Sequence, residues 1–424
     1  MEMKALNMHK ASESRLKPTL GLFDATAISV GAIIGGGIFV VTGIVAGLAG
    51  PALVISMIIA AMIALFTALS FVELTAWLPI EGSVYEFAYR LVSPFAGFLA
   101  GWMWIVSNTF VGAAVSLGFS YYLVALFPAL DFRLIAAIIC ITFTILNYFG
   151  VRHSAMFNNI LVSAKVLILL VFVSFGLFHV KAGNFTPFIP SGTGVLYGAY
   201  FIFFAYGGFA RVAVVAEEVK DAKRVIPRSI ILALAISTII YILVGTVAVG
   251  LIGAKNLGKS NSPLAEAMST VGNPILVYVV SLGGMIATAS VLLTSILGVS
   301  RMIFAMARKK DLPYALSNLH PKYNTPYGSI LIVGVVMTLL ALFVNLAGVV
   351  AVSTFALLFY YALANVSDLR LKTDVRLYPK FLPAIGLATC ITLLAFIQPS
   401  ALAIGGICLL IGTLYYMGKE KMAA

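Results

Sequence analysis

Two stretches of the 424-residue sequence carry most of what could act on a small molecule. The first reads Gly31-Ala-Ile-Ile-Gly35-Gly36-Gly37-Ile38-Phe39, with four glycines in seven residues. In a helix interior each glycine costs roughly 1 kcal/mol against alanine. Gly31 and Gly35 also fit a small-xxx-small helix crossing, but three consecutive glycines exceed what a crossing requires. The second stretch is Phe203-Phe204-Ala205-Tyr206-Gly207-Gly208-Phe209, where a glycine pair interrupts another apolar run. A helix broken inside a membrane frees amides and carbonyls that lipid cannot satisfy. The head group of an α-amino acid can satisfy them. Amides around Gly36 and Gly37, starting an outer half-helix just past Gly35, suit a carboxylate through hydrogen bonds and dipole. Carbonyls around Ile33 and Ile34 suit an ammonium group, and those near Phe204 and Ala205 complete its site.

Charged residues inside apolar runs form a second set. Lys165 falls about eight residues past the cytoplasmic end of its run, hence about 12 Å deep at 1.5 Å per residue. Its stem could snorkel toward the interface, but that depth exceeds the stem's reach. An ammonium so placed is a functional position by default. Carrying a proton there is costly, so its gain and loss can be tied to conformation. Arg211 lies one turn past the second break, where it could act as a gate by pairing with Asp24 or with an acidic substrate. Asp24 could equally begin the first helix as a cap. A cationic side chain would want a buried carboxylate in the pocket, and none is found there. That tilts the ligand toward neutral amino acids, with Gly207 leaving room for an apolar side chain and Phe203 and Phe204 as walls.

The elements that must position these residues follow from composition. Hydrophobic residues make up 62% of the chain and charged residues 10%, against roughly a quarter charged in soluble domains. Such a chain cannot cover a water-facing surface. Apolar runs long enough to span a bilayer fall near 22–47, 52–78, 95–127, 133–150, 157–180, 193–216, 229–252, 272–305, 328–346, 348–366, 381–397 and 401–418. The long runs 95–127 and 272–305 imply tilted or protruding helices. The connections between these runs are short, so the sequence leaves no room for a soluble catalytic domain. Paired acids and histidine clusters are missing too, and an enzyme is not expected. Cys140, Cys390 and Cys408 sit in apolar runs as small hydrophobes, without disulfide or metal-ligand spacing.

With the N-terminus inside, 21 of the 27 Lys and Arg residues fall on the cytoplasmic side. Only Arg133, Lys181, Lys255 and Lys259 lie outside, while Lys165 and Arg211 fall within spans. This bias puts both termini in the cytoplasm and supports an even number of spans. The net charge of +12 thus follows topology. It carries no aromatic-interleaved stripe of the kind nucleic acid requires. Residues 1–19 read as a cytoplasmic tail, 20–180 as a first five-helix repeat, 192–366 as a second and 381–418 as two additional helices. Because five is odd, the two repeats run in opposite senses. Matched interruptions in inverted halves point to a midplane binding site in a transporter.

The run Gly31 to Phe39 resembles the first-helix signature of the amino acid–polyamine–organocation transporter superfamily. Phe204-Ala-Tyr-Gly-Gly-Phe209, followed by Ala216-Glu217-Glu218-Val219 and Pro227, resembles its sixth-helix signature. Pro79, Gly82, Ser83, Tyr85 and Trp102 fit the segment between its second and third helices. The similarity covers nearly the whole chain and is nearest the bacterial cationic amino acid transporter branch. It implies an all-α membrane protein with the LeuT-like inverted 5+5 repeat plus two C-terminal helices, about twelve in all. It also implies amino acid transport by alternating access across the cell membrane. In proton-coupled members a fifth-helix lysine stands where sodium-coupled relatives bind an ion, and Lys165 matches that position. The resemblance therefore implies a proton as coupling ion, no sodium and no other cofactor. It further suggests that Lys165 bridges the first-helix carbonyls between Ser29 and Gly31 and the eighth helix around Ser290. Two departures stand out. Gly36 occupies a place where the family often carries Ser or Thr, and Ala210-Arg211 replaces an acidic residue frequent after the sixth-helix phenylalanine. Exchange, uniport or amino acid sensing would use the same pocket without proton coupling. The expected partners are a small amino acid and the lipid bilayer, and no nucleic acid.

Overall fold

The computed structural model describes residues 19–78, 83–150, 155–189, 192–214, 218–373 and 376–423. Nearly all of the expected N-terminal tail lies outside them, as do Pro79, Gly82, Ala216 and Glu217. The described chain is helical, and its only β pairing is the isolated bridge between Leu20 and Val219. In chain order the main helices are α1 (Leu22–Ile33), α2 (Thr42–Ala49), α3 (Leu53–Trp77), α4 (Ser83–Leu91), α5 (Pro94–Leu126), α6 (Phe132–Tyr148) and α7 (Ala155–Leu177). They continue with α8 (Gly192–Tyr206), α9 (Arg211–Val214), α10 (Ala222–Ile252), α11 (Ala254–Leu257) and α12 (Pro263–Ser269). The last five are α13 (Pro274–Arg308), α14 (Tyr327–Phe343), α15 (Leu346–Arg370), α16 (Phe381–Leu394) and α17 (Pro399–Ala423).

Every apolar run read from the sequence contains a helix. Among the described residues seven helical stretches are long and apolar enough to cross a membrane, which makes this a multi-pass membrane protein. Four shorter apolar helices, α6, α8, α14 and α16, have 17, 15, 17 and 14 residues. Each falls short of the roughly twenty residues a perpendicular span uses. The stretch Leu22–Trp77 runs for 56 residues and turns at Gly50, whose φ of +63° suits a residue without a side chain. Three short helices, α4, α11 and α12, occupy segments that the apolar pattern leaves as connections.

Helix starts are written in residue types. Asp131 accepts the amides of Arg133 and Leu134 at the head of α6, both at 2.9 Å. Ser93 with Pro94, and Asn273 with Pro274, do the same for the two longest helices, α5 and α13. Asp24 sits in the first turn of α1, where its carboxylate accepts the Gly21 amide at 3.0 Å. The core is built where α5 packs on α13 and α15, and where α10 packs on α3 and α1. α8 lies against α2 and α3, and α7 joins α1 to α13. This arrangement brings the two glycine-broken segments side by side.

Candidate functional site

α1 ends at Ile33, and helical geometry resumes as a wide π-type turn over Gly37–Val41 that leads into α2. Wide turns of this kind recur at functional sites. α8 ends at Tyr206, and the chain turns through Gly207 to Ala210 before α9. The two breaks touch backbone to backbone. A Cβ at Gly208 would lie 2.3 Å from the Ala32 carbonyl carbon and oxygen, and one at Gly37 would lie 2.4 Å from Ala205 Cβ. Only glycine permits either approach. The chain ends outside the breaks are tied as well. Thr19 and Leu20 donate their amides to the Glu218 carbonyl at 2.9 and 3.0 Å, and Lys220 donates to Leu20 at 2.9 Å.

Several carbonyls at the breaks find side-chain donors. Tyr241 Oη, from α10, donates to the Ile33 carbonyl at 2.6 Å and lies 3.1 Å from the Ala205 carbonyl. One phenol thus clasps both breaks. Tyr361 Oη donates to Gly207 at 2.7 Å, Ser29 Oγ to Phe209 at 3.4 Å and Tyr122 Oη to Phe39 at 2.6 Å. The amides around Gly36 and Gly37 are different, because the first amides of a helical segment have no partner within it.

A cavity opens beside these amides. It encloses about 710 Å³ of empty space, its open side included, and is lined by Gly35, Gly36, Gly37, Ala205 and Gly207. Ile33 and Phe204 also reach it. Ile34 and Phe203 do not line it. Ile34 is fully buried and its amide closes α1 on Val30 at 2.7 Å. Phe203, expected as a wall, is fully buried and packs edge-on against Tyr361, with ring centroids 6.0 Å apart. The room expected at Gly207 is taken by Leu357, whose Cδ2 would stand 2.5 Å from an added Cβ. At Gly36 the place of a missing hydroxyl is filled by Val115, with Cγ1 2.7 Å from a built Cβ.

Much of the remaining wall comes from α5 and α15, which the sequence reading passed over. α5 contributes Trp104, Ser107, Asn108 and Val111, and α15 contributes Leu357, Tyr360 and Tyr361. Ser107 and Ser353 exchange hydrogen bonds from hydroxyl to carbonyl, both at 3.0 Å, and fix the two helices face to face. The polar run Ser107-Asn108-Thr109 inside a 33-residue apolar helix was the available signal. Tyr241 offered little signal beyond a phenol in mid-span.

Arg211 also lines the cavity, and its guanidinium donates to Asn108 Oδ1 at 3.2 Å. The expected pair with Asp24 does not form. Asp24 instead accepts Gly21 N and Asn159 Nδ2, the latter at 2.8 Å, and so remains at the head of α1. Below the cavity Lys165 is 1% exposed, and its ammonium donates to the Gly31 carbonyl at 3.0 Å and to Ser290 Oγ at 3.1 Å. The Ser290 hydroxyl donates in turn to the Ala287 carbonyl at 2.9 Å, leaving its lone pairs for the ammonium. The lysine therefore ties α1, just before its break, to α13.

Comparison with known proteins agrees with the architecture. The family model for amino acid permeases matches residues 20–418. An uncharacterized transporter of Mycobacterium tuberculosis (strain H37Rv) is 34% identical over 404 residues, covering 95% of this chain and 91% of its own. The branched-chain amino acid permease of Bacillus subtilis (strain 168) is 35% identical and covers 79% of this chain and 77% of its own. The methylthioribose transporter of the same organism is 35% identical, covering 81% and 78%. With a matched model over nearly its full length and relatives of this identity and coverage, the chain belongs to the amino acid permease family, within the amino acid–polyamine–organocation superfamily.

Proposed function

We propose that this permease is a secondary active transporter of neutral amino acids that works by alternating access and is driven by protons. In this reading twelve helices span the membrane, with the Leu22–Trp77 stretch counted as two spans, arranged as two inverted five-helix repeats and two C-terminal helices. The termini face the cytoplasm of a cell whose plasma membrane holds the protein. The observation that carries the reading is the pair of helix breaks meeting backbone to backbone at a cavity wall.

The amino acid carboxylate sits on the first amides of the Gly36–Gly37 segment, where hydrogen bonds and helix dipole act together. Its ammonium takes the carbonyls of Ile33 and Ala205. A carbonyl oxygen has two lone pairs, so Tyr241 orients these acceptors without blocking them. The side chain then points toward Val111, Val115 and Leu357, an apolar end that favours aliphatic substrates. Arg211 is the charged side chain lining the cavity, and a cation there opposes Lys- or Arg-like substrates. A branched-chain amino acid permease among the relatives supports the same substrate class.

Lys165 couples proton to substrate. Protonated, it holds the inner half of the first broken helix to α13 through Gly31 and Ser290. When the proton leaves, the charge-assisted part of both bonds is lost and the half-helix is released. Uptake into proteoliposomes tests the substrate assignment directly, with labelled leucine, alanine, lysine and methylthioribose compared in one preparation. Saturable leucine or alanine uptake that lysine fails to inhibit is the expected result. Preference for lysine or for methylthioribose would overturn the assignment.

A further inference from the structure

A second cavity lies beneath the substrate cavity, between α1, α7 and α13. It encloses about 620 Å³ of empty space, its open side included. Ala32, Arg211 and Val291 line both cavities and so form the wall between them. Among the described residues the lower chamber is lined by two cationic side chains, Lys165 and Arg211, and by no Asp or Glu.

Its hydrogen-bonding inventory is equally one-sided. A guanidinium carries five N–H donors and an ammonium three. Lys165 has acceptors in Gly31 and Ser290, and Arg211 has Asn108, so among the described residues donors remain on both. Asn158 lines the same chamber, and its Nδ2 is buried with no hydrogen-bond partner among the described residues. The hydroxyl hydrogens of Ser290 and Thr294 go to backbone carbonyls of their own helix, Ala287 for the first and Ser290 and Val291 for the second. Two positive charges and spare donors with no counter-charge among the described residues are costly at membrane depth. Water can hydrate such a chamber but cannot neutralise it.

We infer that the lower chamber binds a small monovalent anion, held by Arg211, Lys165 and Asn158. Two sources supply that chemistry: free chloride, or the carboxylate of an amino acid leaving the substrate cavity through the shared wall. The second source rests on the transport reading above; chloride binding does not.

The test is equilibrium dialysis of labelled chloride against the purified full chain in detergent, with acetate as competitor and labelled leucine binding measured in parallel. Saturable chloride binding that acetate displaces is expected, retained in Arg211→Lys and weakened about tenfold or more in Arg211→Gln. A monodisperse elution profile in the same preparations reports whether each variant is folded. Should Arg211→Gln not fold, Asn158→Ala provides the same reading, again as weakened chloride binding. Chloride that competes with leucine assigns the chamber to the departing carboxylate, and chloride that strengthens leucine binding assigns it to a resident ion. Absence of saturable chloride binding, or chloride affinity unchanged in the folded variant, overturns the inference. Failure of leucine to bind while chloride binds normally would instead count against the substrate assignment alone.

Discussion

The glycines at the two breaks are required by what lies against them. At Gly208 a methyl group would press into the Ala32 carbonyl of the facing break, which has backbone on both sides and cannot yield. Gly208→Ala is therefore expected to abolish amino acid binding, measured on protein that still migrates as a monodisperse species. Gly36 is crowded by a side chain instead, Val115. Gly36→Ser alone should weaken binding at least about tenfold, and adding Val115→Ala should recover most of it, a coupling that a double-mutant cycle isolates. Tyr241→Phe strips a donor from two buried carbonyls. It should cost about 1–2 kcal/mol of stability, read as a lowered denaturation midpoint. The glycine runs were legible because backbone geometry restricts which residue can stand there. Tyr241 was not, because its hydroxyl meets Ile33 across 208 residues of sequence and its neighbours are plain apolar residues. The expected pair of Arg211 with Asp24 failed for a related reason. Charge suggests partners, but only packing shows that Asn108 and Asn159 are nearer.

At the scale of elements, apolar length located every long helix. Asp131→Ala should cost about 1 kcal/mol through loss of the α6 cap, again as a lower denaturation midpoint. What the pattern could not supply were α4, α11 and α12, short helices in connections where no long apolar run marks them. A polar latch formed there too. Asp311, just past α13, accepts Tyr85 Oη of α4 at 2.7 Å and Lys419 Nζ of α17 at 2.7 Å. Both contacts are invisible in sequence, since the three residues are separated by 226 and 108 positions. Asp311→Asn removes the charge that holds Lys419, which is otherwise partly exposed. Faster tryptic cleavage at Lys419 and Lys421 is the expected outcome, and an unchanged rate would mean that α17 docks through its apolar contacts alone.

Across the whole molecule, hydropathy foretold a multi-pass membrane protein, and the glycine breaks pointed to where two interrupted helices meet. The side-chain wall from α5 and α15 was largely hidden because long buried helices are apolar nearly all round, and only the polar run Ser107-Asn108-Thr109 marked the face of α5 that lines the cavity. Lys165 links the two scales. One ammonium ties α1, just before its break, to α13, and in the proposed mechanism its proton governs a movement of the whole. Proton-driven uptake measures that role most directly. Protein reconstituted in liposomes should accumulate labelled neutral amino acid when an inward proton gradient is imposed. Lys165→Ala should lose that accumulation while still binding the amino acid. Uptake that is equal with and without the gradient, yet depends on amino acid already inside, would contradict proton coupling and make the protein an exchanger with a structural lysine.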